Sequence, residues 1–324
     1  MNILVTGGAG YIGSITTELL CNEGHTVTVL DSLAYGHRKA VHPAATLVTG
    51  YVGDYQLTCS LIRKNAISAI LHFAADSQVG ESMQNPAKYF SNNVGQGLEL
   101  IRAASDCSID TFILSSTAAT YGEPTQIPIS ETHPTNPTNP YGETKRILEK
   151  ALHWHHTCRG LKYVSLRYFN ASGASERFGE DHTPETHLIP LVLDVAAGTR
   201  PDICVFGDDY PTPDGTCIRD YIHVSDLARA HILALKTTQS SIYNLGNGNG
   251  FSVKQVIDTA AEVTGKPIAH RIVPRRDGDP AQLVASADKI RRELGWKPHY
   301  ASLAQTIETA WRWKLQNPHG YGDK

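Results

Sequence analysis

Tyr141 and Lys145 stand four residues apart in Tyr141-Gly-Glu-Thr-Lys145, and on a helix that spacing stacks a phenol and an ammonium on one face. The pair is an acid with its activator. A phenol titrates near ~10, so a base at neutral pH needs its pKa lowered by about 3 units, roughly 4 kcal/mol. An exposed lysine neighbour supplies about 1 kcal/mol or less. The shortfall points to a cofactor that carries positive charge. Asn139-Pro140 is a helix-start signal, because Asn caps free N–H groups and Pro fits the first helical position. Y-x-x-x-K also describes an ordinary amphipathic helix start, so the rest of the chain must decide between the readings.

The first residues offer a place for a cofactor. Ile3-Leu4-Val5 reads as a buried strand, Thr6-Gly-Gly-Ala-Gly-Tyr-Ile-Gly13 as a glycine turn and Ile12 to Cys21 as a helix. Gly7, Gly10 and Gly13 let the backbone turn tightly, approach a pyrophosphate and pack helix on strand, and the helix N-terminus offers N–H groups to the anion. A second strand, Thr26-Val-Thr-Val-Leu30, ends in Asp31, about 20 residues past the turn, where a carboxylate accepts adenosine ribose hydroxyls. Asp31 also repels a 2′-phosphate, which favours NAD over NADP; the plainer reading is a strand-end turn. Asp54, after Gly53, could reach the adenine amine. Ala74 and Ala75, after the strand ending in Phe73, are small enough for the cofactor to lie close.

Further strands are expected at 45–49, 111–115 and 164–169, separated by helices at 57–64, 86–105 and from Tyr141 onward. That alternation argues for an α/β chain with a doubly wound parallel sheet. The fifth strand runs into Ser115–Gly122 at a carboxyl end, where such sheets bind ligands, and Thr117 is the hydroxyl expected beside Tyr141. From Asn170 to Thr186 the composition turns to Gly, Ser, Glu, Asp and Pro. The expected division is a cofactor domain over 1–170 and a smaller C-terminal α/β substrate domain over 171–324, with the chain crossing back near 219–237. In the second part, Arg219 and the loop Arg275-Arg276-Asp277-Gly-Asp279 could clamp a diphosphate, and Phe206 and Tyr221 could offer a face to a base. Salt bridges to neighbouring aspartates are the plain alternative for both arginines.

At 324 residues, with 41% hydrophobic and 19% charged residues and a net charge of −3, the chain can bury substantial cores and has no general attraction for nucleic acid or anionic membrane. The six cysteines are scattered without a C-x-x-C pair, which reads as reduced thiols rather than disulfides or a zinc site. His153, His155 and His156 have no carboxylate or cysteine partner at ligand spacing, so no metal is expected. Met1-Asn2 leads straight into an apolar strand and no run approaches a membrane span. The expectation is a soluble cytoplasmic protein.

Together these motifs resemble the extended short-chain dehydrogenase/reductase superfamily, over essentially the whole length. The motifs that carry the likeness are Thr6–Gly13, Asp31, Asp54, His72-Phe-Ala-Ala75, Asn93 and the Thr117/Tyr141/Lys145 set. Val79-Gly-Glu-Ser82, Arg167-Tyr-Phe-Asn170, Phe206–Pro211, Asp214-Gly-Thr216, Arg219–Val224, Tyr243-Asn-Leu-Gly246 and the Arg275–Asp279 loop resemble its UDP-hexose 4-epimerases. The resemblance implies a Rossmann-type fold holding NAD through Gly7, Gly10, Tyr11, Ile12, Gly13, Asp31, Ser32, Asp54, Tyr55, Phe73, Ala74, Ala75, Asn93, Ser115, Tyr141, Lys145 and Tyr168. It implies a UDP-hexose held by Thr117, Tyr141, Asn170, His187, Leu188, Phe206, Arg219, Tyr221, Arg276, Asp279 and Leu283. The implied reaction interconverts UDP-glucose and UDP-galactose through a 4-ketose by reversible hydride transfer. Tyr141 is then the base, Lys145 the group that holds the nicotinamide ribose and lowers the phenol pKa, and Thr117 the partner of the reacting oxygen. A homodimer through the Asn93 and Tyr141 helices is implied as well.

Departures and rivals bear on the substrate. His187 stands where Asn is frequent, and Leu283 where hexose-only members carry Tyr and acceptors of N-acetylated sugars a small residue. UDP-N-acetylhexosamines or UDP-pentoses are therefore open. A 4,6-dehydratase would need an acid/base pair after the active-site hydroxyl, where this chain has Ala118-Ala119. A non-catalytic NAD-binding protein would not need hydroxyl, phenol and ammonium together.

Overall fold

Ile3, Leu4 and Val5 are fully buried, as a continuous apolar run requires of a strand covered on both faces. They lie in the middle of a seven-stranded parallel sheet. In the computed structural model, which describes residues 1–276 and 279–323, the spatial order is Ser241–Leu245, Lys162–Tyr168, Thr111–Thr117, Ala69–His72, Asn2–Thr6, Thr26–Asp31, Thr46–Thr49. The order reverses at Asn2–Thr6, the topological switch point outside whose carboxyl end such sheets bind ligands. Asp277 and Gly278 of the expected arginine loop lie outside the described residues.

Helices cover both faces of the sheet, with one core around Ile3, Val29 and Leu166 and another around Leu4, Ile70 and Leu114. The large sheet also takes in a part of the chain beyond residue 170. After Ile218–His223, the helix Val224–Leu235 packs against the first helix, Tyr11–Asn22, and Ser241–Leu245 joins the large sheet beside Lys162–Tyr168. Trp296 is buried in the same core. In Ser241–Leu245, Tyr243 and Leu245 on one face and Asn244 on the other are all buried, as a strand of a sheet covered on both sides requires.

The remaining segments form a smaller layer. Ile218–His223 pairs with Asn170–Ser172, Gly250–Ser252 and Gln282–Leu283, and Ile203–Phe206 pairs with His270–Val273. Helices Leu188–Ala196, Val253–Thr264 and Leu303–Gln316 close a separate core around Val192, Val205 and Ile257. The expected helix over 86–105 starts at Pro86 and passes through a π-helical stretch, Phe90–Gln96, before Gly97–Asp106. Among the described residues no helix is long and apolar enough to cross a membrane.

Candidate active site

The reactive pair is positioned by a locally specified helix start. Asn139 Oδ1 accepts from the Gly142 N–H at 2.8 Å and Pro140 fills the first turn of the helix Pro140–Arg159. Gly142 has no room for a side chain, since a Cβ there would lie 2.4 Å from the Ala119 carbonyl oxygen. The helix start is thereby pressed onto the turn after strand Thr111–Thr117, bringing the Thr117 hydroxyl close enough to the Tyr141 phenol to lower its pKa. One turn on, the buried Lys145 Nζ donates to the Ser115 carbonyl at 2.8 Å.

Burial pushes the Tyr141 phenol up to about 12, opposed by the neighbouring Thr117 hydroxyl. Burial pushes the Lys145 ammonium down to about 8, opposed by Glu149. From about 12, a base at pH 7 needs about 5 units, roughly 7 kcal/mol, of stabilisation of its anion. Lys145 cannot supply that, so the need for a further positive charge is greater than the sequence implied. His72 does not compete for the proton: burial, and then the Lys145 charge, push it down to about 3, and its Nδ1 pairs with the Thr6 hydroxyl at 2.8 Å.

Two buried networks that the sequence did not announce hold this geometry. Glu149, one further turn along the helix from Lys145, takes a two-pronged bond from Arg167, at 2.9 and 2.6 Å, and accepts from the Ser116 hydroxyl at 2.6 Å. Its helical spacing from Lys145 was the available signal. Tyr168 and the fully buried His231 hydrogen-bond at 2.9 Å, and the His231 ring lies against Phe73 at 4.7 Å.

The glycine turn is built for close approach. Gly7 has φ +75°, and a Cβ on it would lie 2.4 Å from the Ala74 nitrogen; a Cβ on Gly13 would lie 2.1 Å from the Gly7 carbonyl oxygen. No side-chain cap takes up the leading N–H groups of the helix Tyr11–Asn22. Asp31 braces the turn, accepting from the Ala9 N–H at 3.0 Å and the Leu33 N–H at 2.9 Å, and it also lines the cavity, so the turn role and a place in the cavity wall coexist. A turn that admits only backbone and an acidic strand end fit a dinucleotide.

At the opposite side, Arg219 pairs with Asp279, and its sequence neighbour Asp220 faces away, accepting the N–H groups of Asn247, Gly248 and Ala285 at 2.8, 3.0 and 3.1 Å. Alternation along a strand explains the split. The Arg276 guanidinium stacks on the Phe206 ring at 3.8 Å, so the aromatic face expected for a base carries a cation. Leu283 packs beside Ala118, Tyr121 and Ile129. His187 Nδ1 faces Glu180 and Glu185 at 2.9 and 2.8 Å.

One cavity of about 1070 Å³ joins these parts. Of the site residues expected from sequence, all but Asp54, Tyr55 and Asn93 line it. Asp54 caps the helix Tyr55–Lys64 through the Leu57 N–H, Tyr55 donates to Asp106 under the Arg102 guanidinium, and Tyr51 and Val52 form the cavity wall nearby. Asn93 is buried, clamping the Asp76 backbone at 2.8 and 2.9 Å and donating to Thr144 at 3.2 Å. In this structure its side chain positions the Asp76 backbone. Among the described residues the metal-ligating side chains that converge are Glu180, His182, Glu185 and His187, not the histidines of 153–156.

This fold and site define an NAD-dependent sugar-modifying class, and the chain belongs to the NAD dependent epimerase/dehydratase family, whose pattern it matches over residues 3–246. More particularly, it is 53% identical to UDP-glucose 4-epimerase of Halalkalibacterium halodurans, over 99% of this chain and 98% of that protein. A crystal structure of UDP-glucose 4-epimerase superposes with TM-score 0.96 at 51% identity, covering 99% of each chain. That of UDP-glucose 4-epimerase from Brucella ovis in complex with NAD superposes with TM-score 0.93 at 45% identity, covering 96% of this chain and 98% of that one.

Proposed function

We propose that this isomerase interconverts UDP-glucose and UDP-galactose through a 4-ketose, using NAD held on the Gly7–Gly13 turn. The observation that carries the reading is the convergence of Thr117, Tyr141 and Lys145 on one cavity with that turn and Arg219. Bound NAD supplies the hydride acceptor and donor and the positive charge that the phenol lacks. Tyr141 takes the proton from the sugar 4-hydroxyl and, after the ketose presents its other face, returns it. Thr117 holds the reacting oxygen, and Lys145 keeps a cation beside both. Arg219, with Arg276, neutralises the diphosphate. The reaction is redox-neutral overall.

The half-buried Leu283 on the cavity wall supports a second reading, in which N-acetylated or pentose UDP-sugars are also accepted. We also place the enzyme in the cytoplasm as a homodimer; exposed Phe90, Leu98 and Trp154, on the helical segments 86–106 and 140–159, support the dimer. The decisive experiment gives purified protein UDP-galactose without added NAD and follows UDP-glucose by NMR. Conversion without stoichiometric NADH is expected. Failure with every UDP-sugar tested would sink the proposal, and UDP-N-acetylglucosamine decides the second reading.

A further inference from the structure

Between the strand Asn170–Ser172 and the helix Leu188–Ala196 the chain folds four ligating side chains toward one point. Glu180, His182, Glu185 and His187 each direct one donor atom into a space where all four lie within 4.8 Å of one another. His182 Nδ1 is 3.1 Å from Glu180 and 3.7 Å from Glu185, and His187 Nδ1 is 2.9 and 2.8 Å from the same two carboxylates. Zinc–nitrogen and zinc–oxygen bonds of ~2.0–2.2 Å in a tetrahedron put neighbouring donors about 3.4 Å apart, which the measured separations bracket. Two imidazole nitrogens and two carboxylate oxygens form a donor set suited to a borderline divalent cation and poorly suited to calcium or magnesium, which prefer all-oxygen shells.

A second observation points the same way. The cluster forms the wall between the large cavity and a smaller one of about 110 Å³, and Glu180, His182 and Glu185 line both. The smaller cavity is also lined by Trp313, which is 95% buried and whose indole N–H has no hydrogen-bond partner among the described residues. An orphaned buried donor marks a place for an acceptor such as a metal-bound water.

We propose that Glu180, His182, Glu185 and His187 bind one divalent cation of the zinc class. Its role is to fasten the 180–187 segment where that segment meets both ligand-binding halves of the cavity. On one side the His182 ring stands edge-on to Tyr11 of the glycine turn at 6.3 Å. On the other, His187 immediately precedes the helix Leu188–Ala196 and lines the large cavity. The cation takes no part in proton transfer.

The test strips the purified full-length protein with chelator and titrates Zn²⁺ alone by calorimetry, in parallel with thermal unfolding. One Zn²⁺ per chain and a raised unfolding midpoint are expected. His182→Gln and Glu185→Gln should each weaken binding by about tenfold or more, since even partners of metal ligands are worth that much, while matching the stripped wild type in circular dichroism. Should these variants not fold, Co²⁺ added to stripped wild type reports the site directly. Visible bands of a four-coordinate nitrogen–oxygen site without thiolate charge transfer support the proposal. No stoichiometric uptake, uptake undiminished in folded variants, or thiolate bands would overturn it.

Discussion

Lys145 Nζ donates to the carbonyl of Ser115 at 2.8 Å, tying the Tyr141 helix to the end of the strand that carries Thr117. The bond holds an ammonium in a site whose burial drives its pKa down to about 8, while the same burial drives Tyr141 up to about 12. Phenol ionisation should therefore depend on the oxidation state of the nicotinamide. Tyrosinate absorbance is expected to titrate lowest with oxidised cofactor and to move upward on reduction. An identical titration in both forms would contradict the electrostatic account.

Tyr141→Phe removes the acid and keeps the ring. Turnover is expected to fall by about 10²- to 10⁴-fold, the usual contribution of a positioned proton-transfer group, with NAD retained through purification. Activity at the wild-type rate would reassign the base.

Gly142→Ala places a methyl against the Ala119 carbonyl, 2.4 Å from the ideal Cβ. Backbone shifts of that kind cost about 1–3 kcal/mol. The thermal midpoint should drop by several degrees, and turnover should fall more than substrate affinity because Tyr141 moves relative to Thr117. An unaltered variant would show that the close approach is not what positions the phenol.

His231 gives a pH signature in stability. Burial pushes it down to about 4, although its Nδ1 faces the Leu227 carbonyl, which raises it. The unfolded chain, with a histidine near ~6.5, takes up the proton first as pH falls. Stability from this group is thus complete above ~6.5 and lost toward 4, with a slope of up to about 1.4 kcal/mol per pH unit. Denaturation midpoints measured from pH 7 to 5 should fall less steeply in His231→Gln than in wild type; parallel slopes would refute the neutral buried imidazole.

Arg219→Lys keeps a positive charge and loses the planar fork that Asp279 braces. One lost hydrogen bond to a charged group is worth about 1.5–3 kcal/mol, so UDP affinity should weaken roughly 10- to 100-fold. Turnover at saturation should stay within about twofold. A large fall in turnover with unchanged UDP affinity would argue that Arg219 serves the reacting end instead.

Local pattern was enough for the alternating strands and helices of the first half, the glycine turn with Asp31, and the Tyr141 helix with its Asn139 cap. Those features depend on residues close in sequence, whose periodicity and backbone preferences are readable one segment at a time. Tertiary structure decided the rest. Ser241–Leu245 reads as a short strand anywhere, and only its partner Lys162–Tyr168 places it in the large sheet. Asp220 looks like a partner for Arg219 until the strand turns the two side chains to opposite faces. Asn93 shows no structural partner in the sequence, and only the fold brings its side chain onto the Asp76 backbone and Thr144, in three hydrogen bonds. Residue types and spacing determined which groups could react; the packing of the Tyr141 helix against the strand Thr111–Thr117 and the rest of the fold decided how deeply they are buried and which of them face the cavity.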